Sequence, residues 1–507
     1  MRRRGLIKKY GNILMKRLSK NTSGSGFLGF EKLLRFLVLI LPLCLFFSYF
    51  PVIGLGASES MNFELSIPLI WLVMFDLVGG IYLLAKKELF SGVLSKWAWL
   101  LFPIWVTLSV IWSLNVTRGI LTAGVLWLIY IAGFIVWKIR NIFDDEFRLK
   151  FWKWFFGSTL FACGWCVLQC VLDLAGVPQE YSLMCDGCTY RMFGFPHPNG
   201  LAIEPQFMGN LLLAPAMIAA LIYLKKQNQV KLLSSNFIWF CFFVTVMILF
   251  LTFSRGAIYA FIVGLCFMSA FVLMATRKGE RGKLVKRVLS VWGAVILSFL
   301  FTLNLQGIMA AMSPTNDTYV TGVTKVLNHL SLGIIDVREK NDNPRDGEIE
   351  ADSENREKLP VEKPVENFED NREESVFDGY VEESTETRLR LSKAALEIWS
   401  QNPTRMLIGV GLGGAGQALY DNNLSPAPKE IVQNEYISLL LETGLVGVSL
   451  FMLTIVLLLI AAWRRKTVRA AVLSLLVAYG VSICFFSGLP NALQIYLLPV
   501  VIMMLGF

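Results

Sequence analysis

Charge is scarce in this chain. Asp, Glu, Lys and Arg make up only 17% of its 507 residues, against 55% hydrophobic and 13% aromatic. With apolar stretches near 20 residues recurring along it, that balance excludes a soluble protein of this length. Histidine is scarcer still, with two in the sequence. Nothing outside the apolar stretches joins Cys185 and Cys188 of Met184-Cys-Asp-Gly-Cys-Thr189 as a second Cys-x-x-Cys or a His-x-x-x-His. A zinc site therefore lacks ligands, and no metal or cofactor is expected. The glycine run 408–416 is not followed by Lys-Ser/Thr, which excludes a Walker-type phosphate loop and leaves close backbone packing as its reading. The basic clusters lack interleaved aromatics, so nucleic acid is not an expected partner. No small-residue cleavage site separates the basic N-terminus from the first apolar stretch, which reads as a retained start-transfer helix.

What is present is a repeated run of spans. They lie near 34–53, 65–85, 97–114, 118–138, 152–176, 200–224, 236–253, 256–276, 288–312, 434–463, 467–487 and 490–507, about twelve in all. The fold class expected is an all-α polytopic membrane protein. Basic clusters at Arg2-Arg3-Arg4, Lys86-Lys87, 138–153, Lys225-Lys226, 277–287 and Arg464-Arg465-Lys466 fall on alternate connections. By the positive-inside rule both termini are cytoplasmic, and 54–64, 115–117, 177–199, the turn at Arg255, 313–433 and 488–490 face outward. The domain reading is a basic cytoplasmic 1–33, spans one to nine over 34–312, a large outer segment 313–433 and the last three spans over 434–507.

Within the outer segment, residues 336–387 hold 19 acidic and 7 basic residues. With few large apolar side chains they cannot offset their ordering entropy, and the segment is expected to be a disordered insertion. After it, 384–403 has helical spacing, with Leu389, Ala395, Leu396 and Trp399 as the apolar stripe of an amphipathic helix. Cys163, Cys166 and Cys170 share one helix face and read as packing residues; Cys185 and Cys188 fit a local disulfide or two thiols, depending on compartment.

Polar residues gather at the outward connections. Arg255 stands in Ser254-Arg255-Gly256 with hydrocarbon residues on both sides, and a guanidinium there costs roughly 2.5 to 3.5 kcal/mol even on the lenient insertion scale, which marks a site or a snorkelling anchor. The stretch 190–204 contributes Arg191, His197, Asn199 and Glu204. Pro196 and Pro198 keep it extended, Asn199 is placed to cap the next span, and Glu204 sits about a turn inside that span, where a carboxylate must face protein or water. Gln433-Asn434-Glu435 opens the tenth span.

The ordered series Ser109-x-x-Trp112-Ser113 before Arg118, Pro198-Asn199-x-x-Ala202, Ser254-Arg255-Gly256-Ala257, Arg388 with Ala394-Ala395-Leu396, Gly409-x-Gly411-x-Gly413, and Gln433-Asn434 nine residues before Gly444-x-x-Gly447 resembles the O-antigen ligase and polymerase family. The likeness runs from about 105 to 450. It implies a GT-C-type membrane glycosyltransferase of cell-envelope polysaccharide biosynthesis, in the bacterial inner membrane, that takes a polyprenyl-diphosphate-linked glycan as donor at the outer membrane face. Its partners would be that donor, an acceptor glycan or glycolipid, and membrane lipid. By resemblance Arg255 and Arg388 are the diphosphate ligands, with Arg191 a third.

One departure bears on mechanism. The family has His where this chain has Gln433, and an uncharged amide is no general base near neutral pH. Glu435, Glu204 or His197 is then the candidate base beside Gln433 and Asn434, the helix N-terminus weakening Glu435 as a base by favouring its ionised form. The readings that remain are transfer to a growing or finished glycan or to a protein hydroxyl, a twelve-span transporter or flippase of lipid-linked glycan, and an inactive family member. Transporters tend toward internal repeats, and none is evident here.

Overall fold

The computed structural model describes residues 25–48, 51–58, 61–89, 94–184, 196–225, 233–312, 318–331, 380–425, 427–428, 430–464, 469–486, 489 and 492–505. Arg191, Cys185, Cys188 and residues 336–379 lie outside that set. The described chain is helical: α1 (Ser25–Phe46), α2 (Ile67–Ala85), α3 (Leu101–Ser109), α4 (Val116–Ile139), α5 (Asp145–Leu174), α6 (Gln179–Ser182), α7 (Pro205–Lys225), α8 (Ser235–Leu251) and α9 (Arg255–Ala275). There follow α10 (Arg281–Ala311), α11 (Tyr319–Leu330), α12 (Tyr380–Ser400), α13 (Pro403–Ile408), α14 (Ala415–Asp421), α15 (Glu435–Arg464), α16 (Arg469–Ser482) and α17 (Leu493–Leu505). Between α1 and α2, in the connection read as facing outward, an antiparallel hairpin pairs β1 (Pro51–Ser58) with β2 (Met61–Ser66), Pro51 opposite Ser66.

Hydrocarbon forces this economy, because a backbone without water must satisfy its own hydrogen bonds. Among the described residues seven helices are long and apolar enough to cross a membrane, and 97–112, α8, α16 and 493–502 are shorter apolar helices. Several helix starts are capped by side chains. Asn115, Asp144, Ser234 and Asn402 each accept a backbone N–H of the first turn, the usual means of satisfying one orphan donor.

The helix α7 is the hub. The apolar window of α7 is 89% buried, against 17% for α15, so α7 is enclosed by its neighbours while α15 turns most of its surface outward. Small residues let the backbones close up around it, as membrane helices require. On α9, Gly264 faces Ala478 of α16, and Gly256 lies where a Cβ would meet that of Phe485 at 2.6 Å. At one end of the bundle Glu31 of α1 accepts from Tyr82 and Lys86, and Arg35 pairs with Asp144 at 2.8 Å. At the other end the Ser48 amide bonds the Leu201 carbonyl, and this second rim carries the polar residues.

A glycine segment locks α3, α4 and α15 together there. Ser113 donates to the Leu412 carbonyl at 2.6 Å, Ser109 accepts from the Leu412 amide, and the Trp112 indole donates to the Ile408 carbonyl. Gly411 has φ +88° and its missing Cβ would fall on the Ser113 backbone; Gly444, at φ +66°, breaks the helical path of α15 against the Leu407 carbonyl. The expectation of close packing for 408–416 therefore holds. Glu442, within electrostatic reach of Arg118, accepts the amides of Gly413 and Ala415.

Above α15 lies α12. Its buried face is Leu391, Ala394, Ala395 and Ile398, with Trp399 partly covered. Leu389, read as part of the stripe, is 55% exposed; the helix is rotated so that the 391, 394/395, 398 series faces inward. It begins at Tyr380, so residues 380–387 of the acidic segment are helical.

Candidate active site

The turn between α8 and α9 presents Arg255. Thr252 ends α8, Phe253 takes a left-handed φ of 49°, and Ser254 begins α9 with Arg255 as its first residue. A left-handed conformation strains a bulky residue, so neighbours must hold Phe253 in place. They do so on two sides. The His197 ring lies tilted against the Phe253 ring at 4.9 Å, and the His329 ring meets it edge-on at 6.2 Å while Nε2 lies 3.1 Å from the Phe253 carbonyl. Gly209 of α7 closes in from behind, where a Cβ would fall 2.9 Å from that of Ser254 and 3.0 Å from that of Ala257. Arg255 ends up only 8% exposed, at a helix N-terminus whose dipole adds to its positive field.

His197 and Glu204 come from a stretch that a membrane glutamine pins. Gln169 of α5 is fully buried; its amide nitrogen donates to the Asn199 side chain at 3.1 Å and the Gly200 carbonyl at 2.8 Å, and its oxygen accepts the Gly200 amide at 2.7 Å. Asn199 does not cap the next span as expected, because its amide turns back to the Ala202 carbonyl at 2.6 Å. Nor is Glu204 inside that span. The helix starts at Pro205, which leaves Glu204 exposed at its mouth.

Arg388 reaches the same place from α12. Its guanidinium donates to Gln206 Oε1 at 3.2 Å, and Gln206 Nε2 donates to the Phe485 carbonyl at 2.7 Å. The segment after α16 is thus a strut. Two residues earlier, the Ile483 carbonyl takes the Glu435 amide at 2.9 Å, so the strut carries Gln433, Asn434 and Glu435 on one side and the arginine site on the other. Gln433 is half-buried with φ +36°. Asn434 spends its side-chain oxygen on the amides of Tyr436 and Ile437, and Glu435 lies against Tyr496.

The electrostatics follow from crowding cations into a dry turn. Burial pushes His197 down to about 4. Burial, then the Arg255 charge, lower His329 to about 3, with His197 and Arg388 adding to the effect against the opposing Phe253 carbonyl bond. Both imidazoles are neutral at pH 7 and too weakly basic to serve as a general base there. Although Glu204 reaches solvent, the protein packed around its carboxyl partly desolvates it and raises its pKa, and Arg388 pulls it back down, leaving it above the ordinary value. Among the described residues no group of three His, Cys, Asp or Glu is placed to hold a metal.

The structure therefore brings Arg255, Arg388, His197 and Glu204 together, ties Gln433 to Glu435 to them through the strut, and adds His329, Gln206 and Phe485, which sequence reasoning missed. His329 had a signal, being one of only two histidines. Gln206 and Phe485 had none, since each acts through a backbone or amide contact.

Residues 240–452 match the O-antigen ligase family. That segment of the chain is similar to O-antigen ligases. No curated protein matches it. The matched segment holds Arg255, His329, Arg388 and Gln433 to Glu435, while His197, Glu204, Gln206 and the strut come from outside its bounds. Together with the apolar helices, the match supports a membrane protein with a glycosyltransferase-like role.

Proposed function

We propose that the protein is a twelve-span GT-C-type glycosyltransferase of the bacterial inner membrane, with both termini cytoplasmic. It moves a glycan from a polyprenyl-diphosphate carrier to a hydroxyl of an acceptor glycan or glycolipid at the outer face. The observation that carries this reading is the convergence of Arg255 and Arg388, from a membrane turn and a loop helix, on one rim beside a helix N-terminus. A lipid diphosphate leaving group needs cations at headgroup level, and guanidinium forks match its oxygens. Each such contact at 4 Å gains about 4 kcal/mol at an effective dielectric near 20 before desolvation is subtracted.

In this scheme the acceptor hydroxyl attacks the anomeric carbon as the bond from that carbon to the phosphate oxygen breaks. The bonding electrons pass to the diphosphate, where Arg255 and Arg388 meet the new charge. The hydroxyl proton goes to Glu204, the exposed carboxylate beside Arg388, whose raised pKa makes it a better base than an ordinary carboxylate. Gln433 and Asn434 shape the neighbouring wall. Arg255→Ala and Arg388→Ala each lower transfer by roughly a hundredfold, the scale of one lost preorganised charge contact, and Lys restores little at either position. A well-expressed Arg255→Ala enzyme with near-normal product removes that residue from the site.

A further inference from the structure

The helix α11 ends on the Arg255 turn. It folds back along α10, with the Tyr319 hydroxyl donating to Asn304 at 2.7 Å and Gly322 packed on Gln306, Gly307 and Ala310. Val326, fully buried, meets Leu303 and Phe253. The last two residues of α11 then make two hydrogen bonds across the turn. His329 Nε2 meets the Phe253 carbonyl at 3.1 Å, and the Leu330 carbonyl accepts the Tyr259 hydroxyl. Phe253 and Tyr259 lie on either side of Arg255 in sequence, so the two bonds bracket it.

We propose that the C-terminal end of α11 is a clamp that sets the position of Arg255, with His329 as its positioning residue. A carbonyl oxygen only accepts, so His329 Nε2 carries the hydrogen and its tautomer is fixed. The bond holds a peptide whose φ of 49° a phenylalanine adopts only under constraint. The C-terminus of α11 also places the negative end of a helix dipole near the guanidinium. His329 is 7% exposed and held neutral chiefly by its burial, with the charge of Arg255 adding to it. It thus offers the donor site a fixed geometry and no added charge.

This inference rests on the proposed role of Arg255 as a donor ligand, and deepens it. The test compares His329→Phe, which keeps a ring and removes the donor, with His329→Gln, whose amide N–H can replace Nε2–H, and with Tyr259→Phe. Full-length protein in liposomes is measured for donor-dependent transfer against pH and for hydrogen exchange of the 252–258 amides. A displacement near 1 Å can lower a rate by about a hundredfold, so His329→Phe should lose at least about tenfold in kcat/KM and exchange faster over 252–258. His329→Gln should stay within about threefold of the parent in rate, keep the pH profile and retain protection; Tyr259→Phe should lose protection as His329→Phe does. Equal loss in Phe and Gln variants, with a changed acid limb, would make His329 a base and overturn the clamp. Unchanged exchange and transfer in His329→Phe would overturn it as well. If Arg255→Ala transfers normally the functional reading fails, and the exchange measurement still decides the clamp by itself.

Discussion

Arg255 and Arg388 differ from the chain's other basic residues in what surrounds them. Most of those others flank apolar stretches of the sequence, whereas Arg255 is buried at a helix start and Arg388 is tied through Gln206 to the Phe485 carbonyl. Beside them the histidines lose their basicity and Glu204 gains some, which turns the choice of base toward the carboxylate. Glu204→Gln is expected to lower transfer by a hundredfold or more while leaving donor KM within a few-fold, since base catalysis supplies about that factor. In the parent, because the Glu204 pKa is raised, the rate should fall as pH drops through a value above the usual carboxylate range; a pH–rate profile on both proteins checks this, and an unchanged acid limb in Glu204→Gln excludes the residue. Arg255 was legible in the sequence because a charge amid hydrocarbon is conspicuous. His329 was not, because its partner is a backbone carbonyl 76 positions away, and no local pattern records such a bond.

Elements were legible where period and length decide them. Each of the twelve apolar stretches read from the sequence contains a helix or most of one. The face of α12 was misread because small residues such as Ala394 can belong to either side of a stripe, and only the neighbouring α15 decides. The hairpin before α2 left no clear alternation to read. Ser109, Trp112 and Ser113 form a recognisable motif in the sequence, and the structure supplies its physical reason in the backbone of 408–412. Gly411→Ala should therefore destabilise the protein by at least about 1 to 3 kcal/mol, since it adds left-handed strain and a backbone clash. Gly80→Ala, within α2 and open to within 4 Å on all sides, should be neutral or stabilising by up to about 1 kcal/mol. Unfolding midpoints in detergent separate the two, and equal midpoints would show that the glycine lock contributes nothing.

For the whole molecule, the two ends of the bundle differ in chemistry. One gathers Glu31, Arg35, Lys86 and Asp144 in exposed and half-exposed pairs; the other gathers Arg255, Arg388, His197 and Glu204. The proposed orientation predicts that a reporter fused after Lys340 reads as extracytoplasmic and one after Lys466 as cytoplasmic, and the same side for both would break the twelve-span arrangement. The central claim is tested most directly by reconstitution. Purified protein in liposomes receives a polyprenyl-diphosphate-linked glycan and an acceptor glycolipid, and the released lipid diphosphate is measured together with the acceptor's gain in mass. The expected result is release matched mole for mole to transferred glycan in the parent and reduced about a hundredfold in Arg255→Ala and Arg388→Ala. Glycan transfer undiminished in both variants, or no lipid diphosphate released by a well-folded parent across a panel of acceptors, would contradict it.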